Sequence, residues 1–353
     1  MEPPIREILD LTGSLIRFRS TSSRPDQRKA CADFITAWLE EHGIPPCRTA
    51  SEGVDSIAAM PVPGRCKVLL MCHFDVVDGP DTLFVPEERD GRLFGRGAID
   101  DKYAVALAMV LMKRQRALGP DGPLGILLTG DEETGGRNGA AAALSGVKAD
   151  FCIAMDGGNP DSMIVLSKGI LRLGIKASGR AAHGARPWLG VNAIEALMDD
   201  LRAVKSLFGA DTPDHWHRTL NIGVIRGGDV VNMVPAGAEA LLDIRFTEND
   251  DPERLLEDIK AAVKGEVTFI RKDSMFSGGN SPLLEALMAA APEAKTGRAH
   301  GATDARFLSD HGIPGVVWGA EGGGSQHSAN EYLEIASLEK LYRCLTAFLD
   351  GLS

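Results

Sequence analysis

Residues 125–136, GILLTGDEETGG, run from a strand-like apolar stretch directly into a turn of acids and glycines. Two other stretches have the same form: KVLLM (67–71) precedes CHFD, and FCIAM (151–155) precedes Asp156. Each apolar run is nearly continuous, which is typical of strands that are covered on both faces. Because helical patterns separate these runs, the sequence predicts an α/β fold with a mainly parallel sheet.

The middle of the chain has a different pattern, in which apolar and polar residues alternate along the strands. Strand, helix, strand, strand, helix and strand patterns occur there at 171–178, 190–207, 220–225, 238–246, 252–264 and 265–271. This is the element order of a small ferredoxin-like α+β domain. The α/β pattern then resumes. We therefore predict an inserted domain at residues 168–277, within a discontinuous domain of residues 1–167 and 278–353.

Composition and charge narrow the class of protein. The 353 residues are 44% hydrophobic and 25% charged, as in soluble globular proteins. A net charge of −11 argues against nucleic acid and anionic membranes as partners, because both attract clustered Lys and Arg. The longest apolar run, residues 104–112, is shorter than the ~20 residues of a membrane-spanning helix, and the N-terminus has no apolar signal core. The six cysteines form no CxxC pair, which favours reduced thiols and a cytoplasmic location.

Acids and histidines follow the predicted strands, at the edge where open α/β sheets bind their ligands. They are His73, Asp75, Asp131, Glu132, Glu133 and Asp156, joined by Asp100 and Asp101 of GRGAIDDK and by His327 and Glu331 of GGGSQHSANE. So many carboxylates at one edge need a cation, because like charges raise one another's pKa. Mixed histidine and carboxylate ligands suit zinc, and also cobalt or manganese.

Spacing indicates supporting roles for some of these residues. Side chains at positions i and i+2 of an extended segment lie on the same side, so Asp75 can orient the ring of His73. Adjacent Glu132 and Glu133 can divide the work, one binding metal and the other moving protons. The pair His215 and His217 in DHWH is a rival metal site. A surface loop is the favoured interpretation of that pair, because no cluster of carboxylates accompanies it.

The motifs CHFDVV, GRGAIDDK, GDEETGG, MDGG, GRAAHGARP, NMVP, DIRF, HGATDARF and HSANE occur in that order from about residue 66 onward. Together they resemble the co-catalytic zinc amidohydrolases and exopeptidases, the family of succinyl-diaminopimelate desuccinylase, acetylornithine deacetylase, carboxypeptidase G-type enzymes and carnosine dipeptidases. The resemblance implies a zinc-exopeptidase catalytic domain with an inserted ferredoxin-like dimerisation domain. It also implies a homodimer and two divalent metal ions per subunit, zinc first and cobalt or manganese as alternatives.

The resemblance implies roles for particular residues. His73 and Asp156 would bind one ion, Glu133 and His327 the other, and Asp100 both. Glu132 would be the general base, with Asp75 orienting His73. His183 of GRAAHGARP would stabilise the oxyanion in the partner subunit's active site. The residues implied to surround the substrate are Asn232, Arg245, Arg306 and Gly323, with Arg245 holding a carboxylate.

The implied reaction is hydrolysis of an amide bond in an N-acyl amino acid or short peptide, by a water held between the metal ions. A dipeptidase or carboxypeptidase of the same family is the alternative. A metal-binding sensor without catalysis is a further one, although the presence of Glu132 argues against it. A structural protein would bind no metal.

The sequence departs from the family pattern at two positions. Cys72 stands where relatives commonly have Gly, and Asp156 where many have Glu. Both departures leave the identity of the substrate undetermined. The sequence contains no GxSxG motif, the motif that would indicate a serine nucleophile.

Overall fold

The computed structural model describes residues 4–119, 121–209 and 212–352. These residues form two compact units. The larger unit lies within Met1–Leu166, Phe276–Ala299 and Thr303–Ser353, and the smaller unit within Ser167–Met275 and His300–Ala302. The chain therefore leaves the larger unit after Leu166 and returns to it at Phe276.

The helices and strands are as follows, in chain order. The helices are α1 (Ile5–Ile16), α2 (Pro25–Glu41), α3 (Lys102–Leu118), α4 (Ala140–Leu144), α5 (Ala193–Ser206), α6 (Pro252–Ala262), α7 (Pro282–Ala290), α8 (Arg306–Asp310) and α9 (Ile335–Asp350). The strands are β1 (Cys47–Ser51), β2 (Val54–Ala59), β3 (Arg65–His73), β4 (Glu87–Arg89), β5 (Arg92–Phe94), β6 (Leu124–Thr129), β7 (Lys148–Ala154), β8 (Ser162–Ser167), β9 (Gly169–Ser178), β10 (Thr219–Gly227), β11 (Gly237–Phe246), β12 (Glu266–Asp273), β13 (Phe276–Ser277), β14 (Lys295–Ala299), β15 (Gly315–Val317) and β16 (Tyr332–Glu334).

The large sheet has the strand order β1-β2-β6-β3-β7-β15-β8-β13, with β14 paired to β8. Its centre is parallel, because β3 pairs in parallel with β6 and β7, and β7 with β15. This confirms the predicted α/β fold. Strands β1 and β2 were not predicted. They extend the sheet in antiparallel fashion, and β1 has no buried position that would mark it as a strand in the sequence.

Both faces of the large sheet are covered, as its continuous apolar strands predict. In β3, Val68 and Leu70 belong to the core beneath α1, α2, α3 and α9, whereas Leu69 and Met71 belong to the core beneath α4 and α8. Helix α3 is buried from Lys102 to Met112, so it packs as an internal helix. The strand ends are thereby fixed on a rigid layer.

The smaller unit contains a four-stranded antiparallel sheet in the order β10-β11-β9-β12. Helices α5 and α6 cover one face of it with a core that includes Leu197, Leu201 and Ile259. Each helix begins at a capping side chain, Asn192 for α5 and Asp251 for α6, that accepts backbone N–H groups of the first turn. Element and strand order are those of the predicted ferredoxin-like domain.

A third, three-stranded sheet in the larger unit joins two distant loops. Strand β16 pairs with β5, which pairs with β4. In the antiparallel register, Tyr332 lies opposite Phe94, and Glu334 lies opposite Arg92. The residues that follow β5 and those that precede β16 are thus held side by side. Among the described residues, no helix combines the length and the apolar composition needed to cross a membrane.

Candidate active site and metal centre

The carboxyl ends of neighbouring strands deliver the predicted site residues to one edge of the large sheet. Strand β3 ends at His73, which lies in register with Thr129 at the end of β6. The turn after β6 carries Glu132 and Glu133, and β7 ends two residues before Asp156. Side chains from separate parts of the sequence therefore meet because their strands are parallel neighbours.

Asp100 lies between two histidines. Its Oδ1 is 3.0 Å from Nε2 of His73, and its Oδ2 is 3.0 Å from Nε2 of His327. The same Nε2 of His327 is 3.1 Å from Oε2 of Glu133. Two overlapping groups of possible ligand atoms result, His73 with Asp100 and Asp156, and Asp100 with Glu133 and His327, each group within 4.8 Å. The structure thus brings together all five predicted metal ligands.

The charges of this cluster suit a cation. Burial and the charge of Asp100 raise the pKa of Asp156 to about 7. Burial, with the charges of Asp156 and Asp304, also raises the pKa of Glu132 well above its ordinary value. Oε1 of Glu133 is buried and has no hydrogen-bond partner among the described residues. A divalent ion would relieve the mutual repulsion of these carboxylates, and it would give that oxygen of Glu133 a partner.

Asp75 connects the two loops that frame the cluster. Its carboxylate accepts the backbone N–H groups of Glu132 and Glu133, each at 3.1 Å. Nδ1 of His73 lies 3.0 Å from the backbone oxygen of Asp75 and 3.4 Å from its carboxylate. Asp75 therefore contacts His73, as predicted, and in addition fixes the backbone of the glutamate turn.

Arg306 and Asp304 lie directly behind that turn. Arg306 is buried, and its Nη2 donates to the carbonyl oxygen of Gly135 at 2.9 Å. Its Nη1 is 3.9 Å from Glu132, and its Nη2 is 3.5 Å from Asp304. Burial raises the pKa of Asp304 to about 7. Asp304 was not predicted as a site residue, although it belongs to the sequence TDARF, because nothing in that pattern distinguishes a buried acid from a solvated one.

Glu331, a candidate at the sheet edge, lies outside both ligand groups. Its carboxylate is bonded to the backbone of residues 97–100 and to the guanidinium of Arg96. Gly323, a predicted substrate-binding residue, has a φ of +59°, and a side chain there would meet the hydroxyl of Tyr332. Its N–H donates to Glu321 at 2.7 Å. Glycine at this position is required by the backbone conformation of the loop.

In the smaller unit, the predicted residues His183 and Asn232 lie on adjacent segments. The N–H of Gly184 donates to the carbonyl oxygen of Asn232 at 2.7 Å, and His183 forms a bridge with Met233. His183 is exposed, and its Nδ1 accepts the N–H of Ala185 at 3.1 Å. The two segments therefore form one surface that displays His183 and Asn232.

Apolar side chains surround that surface. Trp188 is 74% exposed, and Val231, next to Asn232, is fully exposed. The other exposed apolar side chains on these segments are Leu189, Val191 and Val230. Such a group on a water-facing surface is typical of a protein–protein contact.

Arg245 lies elsewhere on the small sheet, in an ion pair. Its Nε donates to Asp243 at 2.6 Å, and Asp243 also accepts from Arg172 at 3.0 Å. The rival pair His215 and His217 lies in a loop whose carbonyl oxygens both accept from Lys168 at 2.7 Å. Of the described residues, those of DHWH form no cluster of metal-ligand atoms.

An α/β layer whose strand ends bring histidines and carboxylates together around a shared aspartate suits a metal-dependent hydrolase. Residues 69–351 match Peptidase family M20/M25/M40. The chain belongs to this family, and the predicted resemblance is confirmed. It is an enzyme of the metallopeptidase class.

Individual proteins are also similar to this chain in sequence or in fold. The chain is 32% identical over 329 residues to a succinyl-diaminopimelate desuccinylase of Rhodospirillum centenum, with 85% of each chain covered. It is 28% identical over 318 residues to a probable carboxypeptidase of Uncinocarpus reesii, covering 79% of this chain and 70% of that one. A tripeptidase structure from Staphylococcus aureus has the same fold, with a TM-score of 0.80 at 22% identity, covering 99% of this chain and 98% of that one.

Proposed function

We propose that the chain hydrolyses an amide bond in an N-acyl amino acid and that the cluster around Asp100 holds two divalent metal ions. Zinc is the preferred candidate, with cobalt or manganese as alternatives. The observation that carries this proposal is the position of Asp100, with one carboxylate oxygen 3.0 Å from each of two histidines. A dipeptidase or carboxypeptidase is the second candidate. It is favoured by the similarity to a probable carboxypeptidase, just as the first is favoured by the similarity to a desuccinylase.

The proposed ligands fit divalent ions by their chemistry. His73 and Asp156 would hold one ion, Glu133 and His327 the other, and Asp100 would contribute an oxygen to each. Imidazole nitrogens with carboxylate oxygens are the donors that zinc, cobalt and manganese accept. When bound, such ions polarise an amide carbonyl and make water more acidic.

Glu132 is the proposed general base. Its carboxylate accepts a proton from the attacking water and delivers it to the leaving amine nitrogen. Burial and the neighbouring acids raise its pKa, which makes its carboxylate a stronger base for the first transfer than an exposed glutamate would be. Asp75 supports this role, because its bonds to the N–H groups of Glu132 and Glu133 fix the backbone of the turn that carries both side chains.

We further propose that the smaller unit forms a homodimer and that His183 stabilises the oxyanion in the partner subunit's site. The exposed apolar side chains beside His183 and Asn232 support a contact of this kind. Asn232 and Arg245 would hold the substrate, with its free carboxylate on Arg245. The six cysteines, all described and none paired, support a cytoplasmic location.

A substrate panel tests the proposal. Metal-free protein is supplied with zinc, cobalt or manganese and is given N-succinyl amino acids, N-acetyl amino acids and dipeptides. We expect metal-dependent hydrolysis with the N-acyl amino acids preferred. Faster hydrolysis of the dipeptides would establish the second candidate. Full activity in demonstrably metal-free protein would contradict both.

A further inference from the structure

Arg96 and Glu331 form a buried ion pair next to the proposed metal centre. Their side chains are 4% and 1% exposed, and Nη1 of Arg96 contacts Oε2 of Glu331. The pair lies where the three-stranded sheet of the larger unit joins two loops, because Arg96 follows β5 and Glu331 immediately precedes β16. Neither residue belongs to the two groups of possible ligands.

Each member of the pair also holds the backbone of a different ligand. Oε1 of Glu331 accepts the N–H groups of Gly97 at 2.8 Å and Asp100 at 3.3 Å. Nη2 of Arg96 donates to the carbonyl oxygen of His327 at 3.2 Å. The ion pair therefore bridges the backbones of Asp100 and His327, whose side chains meet at 3.0 Å.

His327 depends on such a contact more than His73 does. His73 ends a buried strand, whereas His327 lies in an irregular loop with a side chain that is 52% exposed. Most residues of that loop, 323–330, are exposed as well. An exposed loop has few contacts of its own to fix a side chain to the accuracy that a metal ligand needs.

We propose that Arg96 and Glu331 are a positioning pair that holds His327 over Asp100 and thereby sets the affinity of the ion bound by Glu133 and His327. This inference rests on the proposed function, since it takes those residues as metal ligands. A contribution to stability alone would not explain the pair, because burying two charges offsets much of their attraction. Its additional bonds all go to the backbones of ligand loops.

The variant Arg96→Lys tests the positioning role. Lysine keeps the charge beside Glu331 but lacks the planar fork that also reaches the carbonyl oxygen of His327. Metal-free protein is titrated with Co²⁺ by calorimetry and by visible absorption. We expect the wild type to bind two ions. In the variant, one ion should bind about tenfold to a hundredfold more weakly, as is usual when a partner of a metal ligand is lost. The other ion should bind within about twofold of wild type.

Arg48→Lys is the matched control. Arg48 of β1 also makes two contacts, with Asp55 of β2 at 2.8 Å and Asp33 of α2 at 2.6 Å, and none of these residues belongs to the ligand groups. It should bind both ions as the wild type does. Thermal unfolding of the metal-free proteins measures any general loss of stability. If Arg96→Lys is too unstable to titrate, Glu331→Gln is assessed by the same criterion.

The outcomes separate the inference from the proposed function. Two ions bound with wild-type affinity by Arg96→Lys would overturn the positioning role. An equal weakening of both ions, or a weakening shared by Arg48→Lys, would overturn it too. A wild-type protein that binds no divalent ion would instead contradict the proposed function. Recovery of wild-type activity in Arg96→Lys at high Co²⁺ concentration is expected if only the affinity of one ion is lost.

Discussion

The guanidinium of Arg306 lies 3.9 Å from the carboxylate of Glu132, with both side chains largely buried. The same guanidinium is bonded to Gly135, where the glutamate turn ends. Arg306 was predicted to help form the substrate pocket. That role stays a prediction, and in the structure Arg306 contacts the turn that bears the proposed base. This geometry favours a role in holding Glu132.

Arg306→Lys should therefore lower kcat and leave KM nearly unchanged. Lysine keeps a positive charge for Glu132 and Asp304 but loses the bond geometry that fixes the turn. We expect a loss of about tenfold in kcat, because a small displacement of a catalytic group is enough for that. Steady-state kinetics on the best substrate of the panel, with thermal unfolding as the control, would measure it. A raised KM at unchanged kcat would return Arg306 to the substrate pocket.

Glu132→Gln should separate catalysis from metal binding. The amide keeps the size of the side chain but cannot accept the proton, so we expect a rate loss of about 10²–10⁴-fold. Metal content, measured by elemental analysis, should stay near that of the wild type. His327→Ala should instead lower the occupancy of one ion, since Nε2 of His327 is within 3.1 Å of both Asp100 and Glu133. Equal metal loss in the two variants would show that the roles of Glu132 and Glu133 are wrongly divided.

Mixing two inactive proteins should restore activity if His183 acts across a dimer. His183→Ala lacks the proposed oxyanion contact, and Glu132→Gln lacks the proposed base. In a mixed dimer, one of the two active sites combines an intact His183 with an intact Glu132. We expect activity to appear as subunits exchange, followed by light scattering and kinetics. No recovery after verified exchange would place His183 in its own subunit's site or outside any site.

Arg245→Lys should impair substrates with a free carboxylate more than the corresponding carboxamides. A guanidinium forms two parallel hydrogen bonds to a carboxylate, which lysine cannot reproduce. The expected cost is about 1–3 kcal/mol, or roughly tenfold to a hundredfold in kcat/KM. Arg172→Lys is the matched control, because Arg172 also pairs with Asp243. Equal losses on acid and amide, or in both variants, would mean that Arg245 serves the fold through Asp243.

The strand ends of the site were predictable, because a buried parallel strand leaves a continuous apolar run in the sequence. His73, Glu132 and Asp156 each follow such a run, and the fold then requires them to be neighbours. A different pattern, the alternation of apolar and polar residues along β9, β10 and β11, predicted the sheet of the smaller unit. These features depend on local patterns and on one rule of parallel sheets.

The buried charges of the larger unit were not predictable from the sequence. Arg96, Asp304 and Glu331 lie in loops, where charged residues are normally solvated, and their burial depends on contacts between residues far apart in the chain. Glu331 was expected at the sheet edge, yet its carboxylate is used by the backbone of residues 97–100. In the smaller unit, Asp243 also accepts from Arg172 of β9, a contact that only strand register reveals.

The interruption of the larger unit by the smaller one also determines the order in which the enzyme is completed during synthesis. When the ribosome has made the chain as far as residue 300, His73, Asp100, Glu133 and Asp156 already exist, but strand β15 and His327 do not. Glu331, the partner of Arg96, is also still missing. Pairing across such a long stretch of sequence is slow to form. The nascent chain therefore lacks the second proposed histidine ligand until the segment that contains His327 has been made and folded.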